Sequence, residues 1–338
     1  MPAGYSGFLS PDDCLMKEPF RFVIVGTGVI SKAYISALES LSGVELAGIV
    51  SRTEKRPASL SSAPNVPVVS DLALMQSPFD AVILATPNGL HHKDAIVAAQ
   101  MGAHVLSEKV LDISLDACDR MIATCEEHNV RLGVAYQRRT SPVNRQLKKL
   151  IDQGAFGRIF AADLEAKFYR GQEYYGSSPY RGTKAIDGGG PFFQQASHDL
   201  DLLVWFFGMP VRIASALGTF QHDIESEDHG AAIMKFESGM IGTLIASTCC
   251  KPQQAAKLTI HSDRGTMVVS GDRIVSMEMD GLAPDLIDAI EVESLLPGHE
   301  GIIQDFVEAV RNNRTPLVSG TEARKSVELI LRIYNAEI

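Results

Sequence analysis

The chain has 338 residues, more than one hydrophobic core ordinarily serves, and with 45% hydrophobic and 21% charged residues it is composed like a two-domain globular protein, not a disordered or fibrous one. Its formal net charge of −10 opposes binding to nucleic acid or to an anionic membrane, so any phosphate it takes must be met by a local group of cations. The five cysteines, Cys14, Cys118, Cys125, Cys249 and Cys250, form no CxxC pair or zinc spacing, and no stretch approaches the ~18 apolar residues of a membrane span; with no signal-peptide pattern near Met1, these features predict a cytoplasmic, metal-free protein with reduced thiols.

Residues 1–19 carry Asp12, Asp13, Lys17 and Glu18 and read as an N-terminal extension. The β-branched run Arg21 to Val25 ends in Gly26-Thr27-Gly28, and helical spacing follows from Val29 to Leu41, which predicts strand, tight turn and helix. Further buried strands are expected at Val44 to Val50, Val66 to Val69, Ala81 to Ala85, His104 to Ser107 and Leu132 to Tyr136, with helices at His91 to Met101 and Ser114 to His128. This alternation predicts a doubly wound parallel sheet, a dinucleotide-binding Rossmann domain over 20–139. Beyond it, a helix from Asn144 to Gln153 leads into alternating runs at Ile159 to Phe168, Val211 to Phe220, Gly230 to Phe236, Gly239 to Thr248 and Ala256 to His261. They predict a second α/β domain over 140–338 with a large, mainly antiparallel open sheet. Helices are expected at Phe192 to Phe207, Gly301 to Asn312 and Thr321 to Asn335, the last free to pack back on the first domain.

In Gly26-Thr27-Gly28-Val29-Ile30-Ser31 the first two glycines permit a tight turn and close backbone approach of a pyrophosphate to a helix N-terminus, and Ser31 is a small third residue. The second strand ends in Ser51-Arg52, with Arg56 behind, where NAD enzymes carry an acid; a hydroxyl and two guanidinium groups suit a 2′-phosphate and predict NADP in preference to NAD. Stacking of Arg52 on the adenine with Arg56 in solvent is the plainer alternative, and leaves NAD open. Three more strand ends are polar: Thr86-Pro87-Asn88 followed by His91 and His92, Glu108-Lys109, and Gln137-Arg138-Arg139. Asn88 also fits a helix N-cap.

The order VGTGVIS, ATPNGLHH, SEKV and DGGGPFFQQASHDLD resembles the Gfo/Idh/MocA family of glucose-fructose oxidoreductase, inositol dehydrogenase and MocA, from about Phe20 to the C-terminus. The resemblance implies a Rossmann domain paired with an open antiparallel sheet, a nicotinamide cofactor, a sugar, inositol or related polyol as substrate, and no metal. It implies that Lys109 of Glu108-Lys109, with Val110 in place of proline, lies near nicotinamide and substrate hydroxyl. It implies that Tyr180 and Arg181 contact the cofactor, and that Arg139, Arg170, Tyr174, Tyr175, Asp187, Gln194 and His198 face the substrate. The family's catalytic Asp-x-x-x-His becomes Gln194-x-x-x-His198 here, which implies Gln194 as a catalytic residue beside Lys109 and His198. Asp201, three residues past His198, could reach the imidazole or anchor the helix. Taken alone, His198 also fits a core histidine, and Gly188 to Gly190 fit either close passage under nicotinamide or a tight turn.

The mechanism expected is proton transfer from a substrate hydroxyl to His198 and hydride transfer to nicotinamide, with Lys109 stabilising the developing alkoxide. Two alternatives accompany it: a redox-neutral NAD-dependent glycosidase of the same family, and a catalytically silent dinucleotide-binding sensor. Self-association as a dimer or tetramer through the second sheet is also expected.

Overall fold

The computed structural model describes residues 18–53, 56, 60, 65–281 and 295–338; residues 1–17 of the expected extension, with Cys14, lie outside them. Six strands, β1 (Phe20–Val25), β2 (Val44–Val50), β3 (Val68–Val69), β4 (Ala81–Leu84), β5 (His104–Ser107) and β6 (Leu132–Val134), form a parallel sheet in the order β3-β2-β1-β4-β5-β6. Its middle strands are apolar without alternation because both faces are covered, β4 being buried at every residue. The helices α1 (Ser31–Ser40), α2 (His91–Gln100) and α3 (Leu115–Glu127) connect them. The strand order reverses between β1 and β4, which opens a crevice at their carboxyl ends.

After α4 (Pro142–Asp152) comes a seven-stranded sheet built from β7 (Ile159–Lys167), β8 (Arg212–Gly218), β9 (His229–Lys235), β10 (Ile241–Ser247), β11 (Lys257–Ser262), β12 (Gly265–Ser270) and β13 (Arg273–Met279). Its order is β13-β12-β11-β7-β10-β9-β8. All neighbours are antiparallel except β7 and β10. The last two strands are additions to the sequence-based expectation, which ended the sheet at β11. One face is buried; the other leaves Phe160, Ile233 and Ile241 at 50%, 61% and 50% exposure. The expected helix over 192–207 is two pieces, α6 (Pro191–Gln194) and α7 (Ser197–Phe207), preceded by the short α5 (Gln172–Gly176). Of the two closing helices, α8 (Gly298–Arg311) packs on α1 and α9 (Gly320–Tyr334) on α3 and α7. Both sheets therefore share one continuous core, in which Val23, Leu164, Leu203 and Ile330 all take part. No helix among the described residues is long and apolar enough to cross a membrane.

Arg139 corrects an expectation. The resemblance implies that it faces the substrate, but it is 1% exposed and bonds Asp201 through Nε and Nη2, both at 2.8 Å. Its guanidinium lies 5.3 Å from the centre of the Trp205 ring, and Ser326 of α9 donates to Asp201 at 2.9 Å. Asp201 is thus spent on Arg139 rather than on His198, because a buried guanidinium needs a carboxylate that matches both of its donors. Asp201→Ala should lower the unfolding free energy by about 3–5 kcal/mol, measured by urea denaturation. A loss below about 1 kcal/mol, the range of an exposed pair, would deny the pair its role in holding the two sheets together.

Candidate active site

A cleft of about 990 Å³ runs from the carboxyl ends of β1 and β2, past β4 and β5, to Phe168 and Arg170 at the end of β7. At its floor Gly26 has φ +107°, and a Cβ there would stand 2.6 Å from the Ala85 carbonyl oxygen; side chains are excluded by the fold itself. A Cβ on Gly28 would meet only Ala85 O at 3.9 Å. The protein tolerates bulk there, and what Gly28 keeps open is the cleft. Thr27, Val29 and Ile30 line the same wall, and Ser31 donates to Gly28 O at 2.7 Å, which fastens the turn to α1.

Ser51 and Arg52 reach the cleft. Arg56 does not line it; its guanidinium donates to Val66 O at 2.8 Å. One of the two expected guanidinium groups is therefore present. Thr86, Pro87 and Asn88 line the cleft; the residue before α2 is Leu90, with no side-chain cap, so Asn88 is no helix cap, and its amide donates to Asp187 O at 3.0 Å. His91 is fully buried and outside the cleft wall. Its ring nitrogens lie 2.9 Å from Val110 O and 2.9 Å from Thr86 O, so it ties together the loops after β4 and β5. Gln137 also lies off the wall, with its Oε1 buried and unpartnered among the described residues.

Glu108 accepts the Tyr34 hydroxyl at 2.7 Å and the Lys109 backbone N–H at 3.0 Å. Burial would push its carboxyl up, but His299, Lys109 and Tyr34 outweigh it and hold the group below the ordinary carboxylate value. Lys109, joined to Val110 by a cis peptide, turns its ammonium into the cleft wall and donates to the Gln194 backbone oxygen at 2.8 Å. Burial lowers its amine, against the pull of Glu108 and Asp187. The Gln194 amide donates to Asp187 O at 2.7 Å. Asp187, 3% exposed, accepts Gly182 N–H at 2.9 Å, and burial pushes its carboxyl up to about 6.

His198 is not among the side chains that line the cleft. Its Nδ1 is buried and unpartnered among the described residues, its ring stands edge-on to Tyr136 at 5.8 Å, and burial, then Lys109, Arg138 and His299, push the imidazole well below its ordinary value. The opposite wall is aromatic and cationic: Arg181 lies 4.3 Å and Arg170 5.5 Å from the centre of the Tyr174 ring, and Tyr180 lies beside Arg181. Tyr175 is turned away, its hydroxyl 2.8 Å from Thr248 Oγ1.

Sequence reasoning missed Tyr34, His299, Glu227 and Tyr334. Glu227 accepts the Tyr334 hydroxyl at 2.8 Å and Gly190 N–H at 3.2 Å, and burial pushes it up to about 7. A Cβ on Gly190 would lie 1.8 Å from Glu227 O, so this glycine answers to packing within the chain. One His/Asp/Cys cluster, His222, Asp228 and Cys249, stands among the described residues. Its aspartate already accepts the N–H groups of Phe220, Gln221 and His222, and the Cys249 thiol, pushed up to about 12, stays protonated; the set closes a turn.

Residues 20–136 match the oxidoreductase family with an NAD-binding Rossmann fold, and residues 144–268 match the GFO/IDH/MocA C-terminal domain. The WlbA dehydrogenase of Bordetella pertussis, solved with NADH and UDP-GlcNAcA, is 33% identical with a TM-score of 0.85, over 94% of this chain and 96% of its own. The WlbA dehydrogenase of Chromobacterium violaceum, also solved with NADH and UDP-GlcNAcA, is 29% identical with a TM-score of 0.87, over 95% and 94%. The scyllo-inositol 2-dehydrogenase (NAD(+)) of Bacillus subtilis is 25% identical over 76% of this chain and 75% of its own.

Gly26→Ala should impose about 1–3 kcal/mol of strain on the turn and weaken NADH binding by roughly tenfold or more, read from nicotinamide fluorescence. Unchanged affinity would remove this loop from the dinucleotide site.

Proposed function

Because the chain belongs to the GFO/IDH/MocA oxidoreductase family, we propose that it is an NAD(P)-dependent dehydrogenase that moves a hydride between nicotinamide and a CH–OH carbon of a sugar derivative or polyol. The observation that carries this reading is that the Gly26–Gly28 turn and Lys109 open into one cleft, so a dinucleotide laid on the turn would extend toward the lysine. The bound cofactor would supply the hydride acceptor. Lys109 would donate to the reacting oxygen and stabilise its developing negative charge, which a desolvated ammonium does more strongly than one in water. His198, neutral at pH 7 by the lowering of its imidazole, would pass on the hydroxyl proton.

For the substrate, we read an anionic sugar derivative. Arg170, Arg181 and Lys109 gather on the cleft of a chain whose net charge is −10, and the Arg181 Nε is buried without an acceptor among the described residues. A carboxylate or diphosphate answers that demand, and the WlbA dehydrogenases solved with UDP-GlcNAcA favour a nucleotide-linked sugar acid. Ser51 and Arg52, the described residues that directly follow β2, favour NADP; the NADH in the same two relatives keeps NAD as the alternative. Residues 20–139 would hold the cofactor and 140–338 the substrate. The open sheet face with Phe160, Ile233 and Ile241 would serve self-association, which Ile233→Glu should weaken in sedimentation measurements.

The test is a spectrophotometric screen of UDP-sugar acids, free uronates, sugars and inositols with both cofactors. Lys109→Ala should cut kcat by ~10²–10³-fold with NADH affinity retained, and Arg52→Ala should raise KM for NADP about tenfold. Glycoside cleavage without net change in nicotinamide absorbance would overturn the dehydrogenase in favour of redox-neutral chemistry.

A further inference from the structure

We infer that Asp187 is the final holder of the proton that leaves the substrate hydroxyl, in the carboxylate role that Gln194 cannot fill. This rests on the dehydrogenase reading above and adds the group that completes its proton path.

Among the described residues four carboxylates line the cleft: Asp71, Asp94, Glu108 and Asp187. Asp71, just after β3, caps a turn through Ala73 N–H at 2.9 Å, and Asp94, in α2, accepts the Thr86 hydroxyl at 3.1 Å and faces Arg52. The two that face Lys109 are Glu108 and Asp187, and Glu108 has both oxygens taken, by the Tyr34 hydroxyl and the Lys109 backbone N–H. Asp187 uses only Oδ2, on Gly182 N–H; among the described residues its Oδ1 accepts no hydrogen bond. Its main chain is fixed from two sides, because Asn88 and Gln194 both donate to its carbonyl oxygen. Gln194, at the place where the family carries an acid, is spent on this frame: its amide holds Asp187 and its backbone oxygen holds Lys109.

The charged and titratable groups that face Asp187 are Lys109 from the loop after β5 and Arg181 and Tyr174 from the opposite wall. The two cations favour its ionised form and burial opposes it. The balance is a carboxyl that titrates at about 6, suited to exchange a proton near neutrality. His198 does not line the cleft, and burial, then Lys109, Arg138 and His299, lower its imidazole well below the ordinary value. In oxidation the substrate O–H and C–H bonds break and C=O forms. The C–H electron pair leaves with its hydrogen as hydride to the nicotinamide, and the proton ends on Asp187 Oδ1; reduction runs in reverse. A base that titrates at about 6 is protonated and inactive below that pH, so the oxidation rate should rise through it.

The experiment is the pH profile of kcat for oxidation by the full chain with NAD(P)⁺, in wild type, Asp187→Asn and His198→Asn. Expected are a wild-type limb near 6, a ~10²-fold or greater loss with disappearance of the limb in Asp187→Asn at unchanged NADH affinity, and a slower His198→Asn that keeps the limb. A limb that persists in Asp187→Asn, or vanishes in His198→Asn alone, overturns the assignment. The protonated-carboxyl infrared band, as wild type minus Asp187→Asn, reads the same group without turnover. A midpoint near 6 supports the inference and one near the ordinary ~3.9 overturns it. Absence of turnover with every sugar would sink the dehydrogenase reading and leave this titration to judge Asp187.

Discussion

The buried pair of Arg139 and Asp201 is the constraint on which the remaining geometry depends. Arg139 follows the last strand of the parallel sheet, Asp201 sits in the helix under the second sheet, and Ser326 brings in the closing helix. Taking two charges out of water costs several kcal/mol per ion, and only a bidentate geometry with the remaining lone pairs satisfied offsets it. A shift of either sheet by an ångström would break that geometry, so the pair tolerates one relative placement of the two halves. The cleft lies between walls fixed in this way.

Within the cleft the electrostatics are local and run against the sign of the chain. The exterior is acidic, yet Lys109, Arg170 and Arg181 converge with their partners drawn from carbonyl oxygens and ring faces. Lys109 also faces Glu108 and Asp187, and Arg181 faces Asp187, so these carboxylates offset part of the charge. An anion entering the cleft would meet the remainder in a medium that screens poorly. Glu108 shows the converse: it is compensated by Tyr34, His299 and the Lys109 backbone, and so it positions the lysine without offering a free carboxylate to the cleft.

Much of the first half was legible because its signals are local. A β-branched run, two glycines and a helix period sit within some twenty residues, and each reports on its own surroundings. The hairpin of β12 and β13 was equally readable in principle, since Gly271 and Asp272 at φ 54° and 64° are a two-residue turn between β-forming runs; its strands were overlooked because Arg273, Ser276 and Glu278 dilute the apolar pattern. Arg139 was misread for a different reason. A strand end fixes where a residue is, not which way its side chain turns, and the neighbouring arginines 138 and 139 point to different carboxylates. His91 fell to the same ambiguity. The contact of Glu227 with Tyr334 joins residues 107 apart, and no spacing rule reaches that far.

The long-range contacts also explain how so short an element as α6 can hold the lysine of the cleft. A helix of four residues has less than two turns of hydrogen bonds and does not persist by propensity alone. Its N-terminal N–H groups are met by the Glu227 carboxylate, which serves as a cap supplied from another part of the chain. Tyr334 of the last helix braces that carboxylate through its hydroxyl, and Lys109 takes the carbonyl of Gln194 at the other end. The lysine's position is therefore set by the closing helix as much as by its own strand. A side chain at Gly190 would collide with Glu227, so the glycine before α6 is the condition for the cap to form, and the sequence from Gly188 to Gln194 is best understood as the seat of Lys109 and Asp187 together.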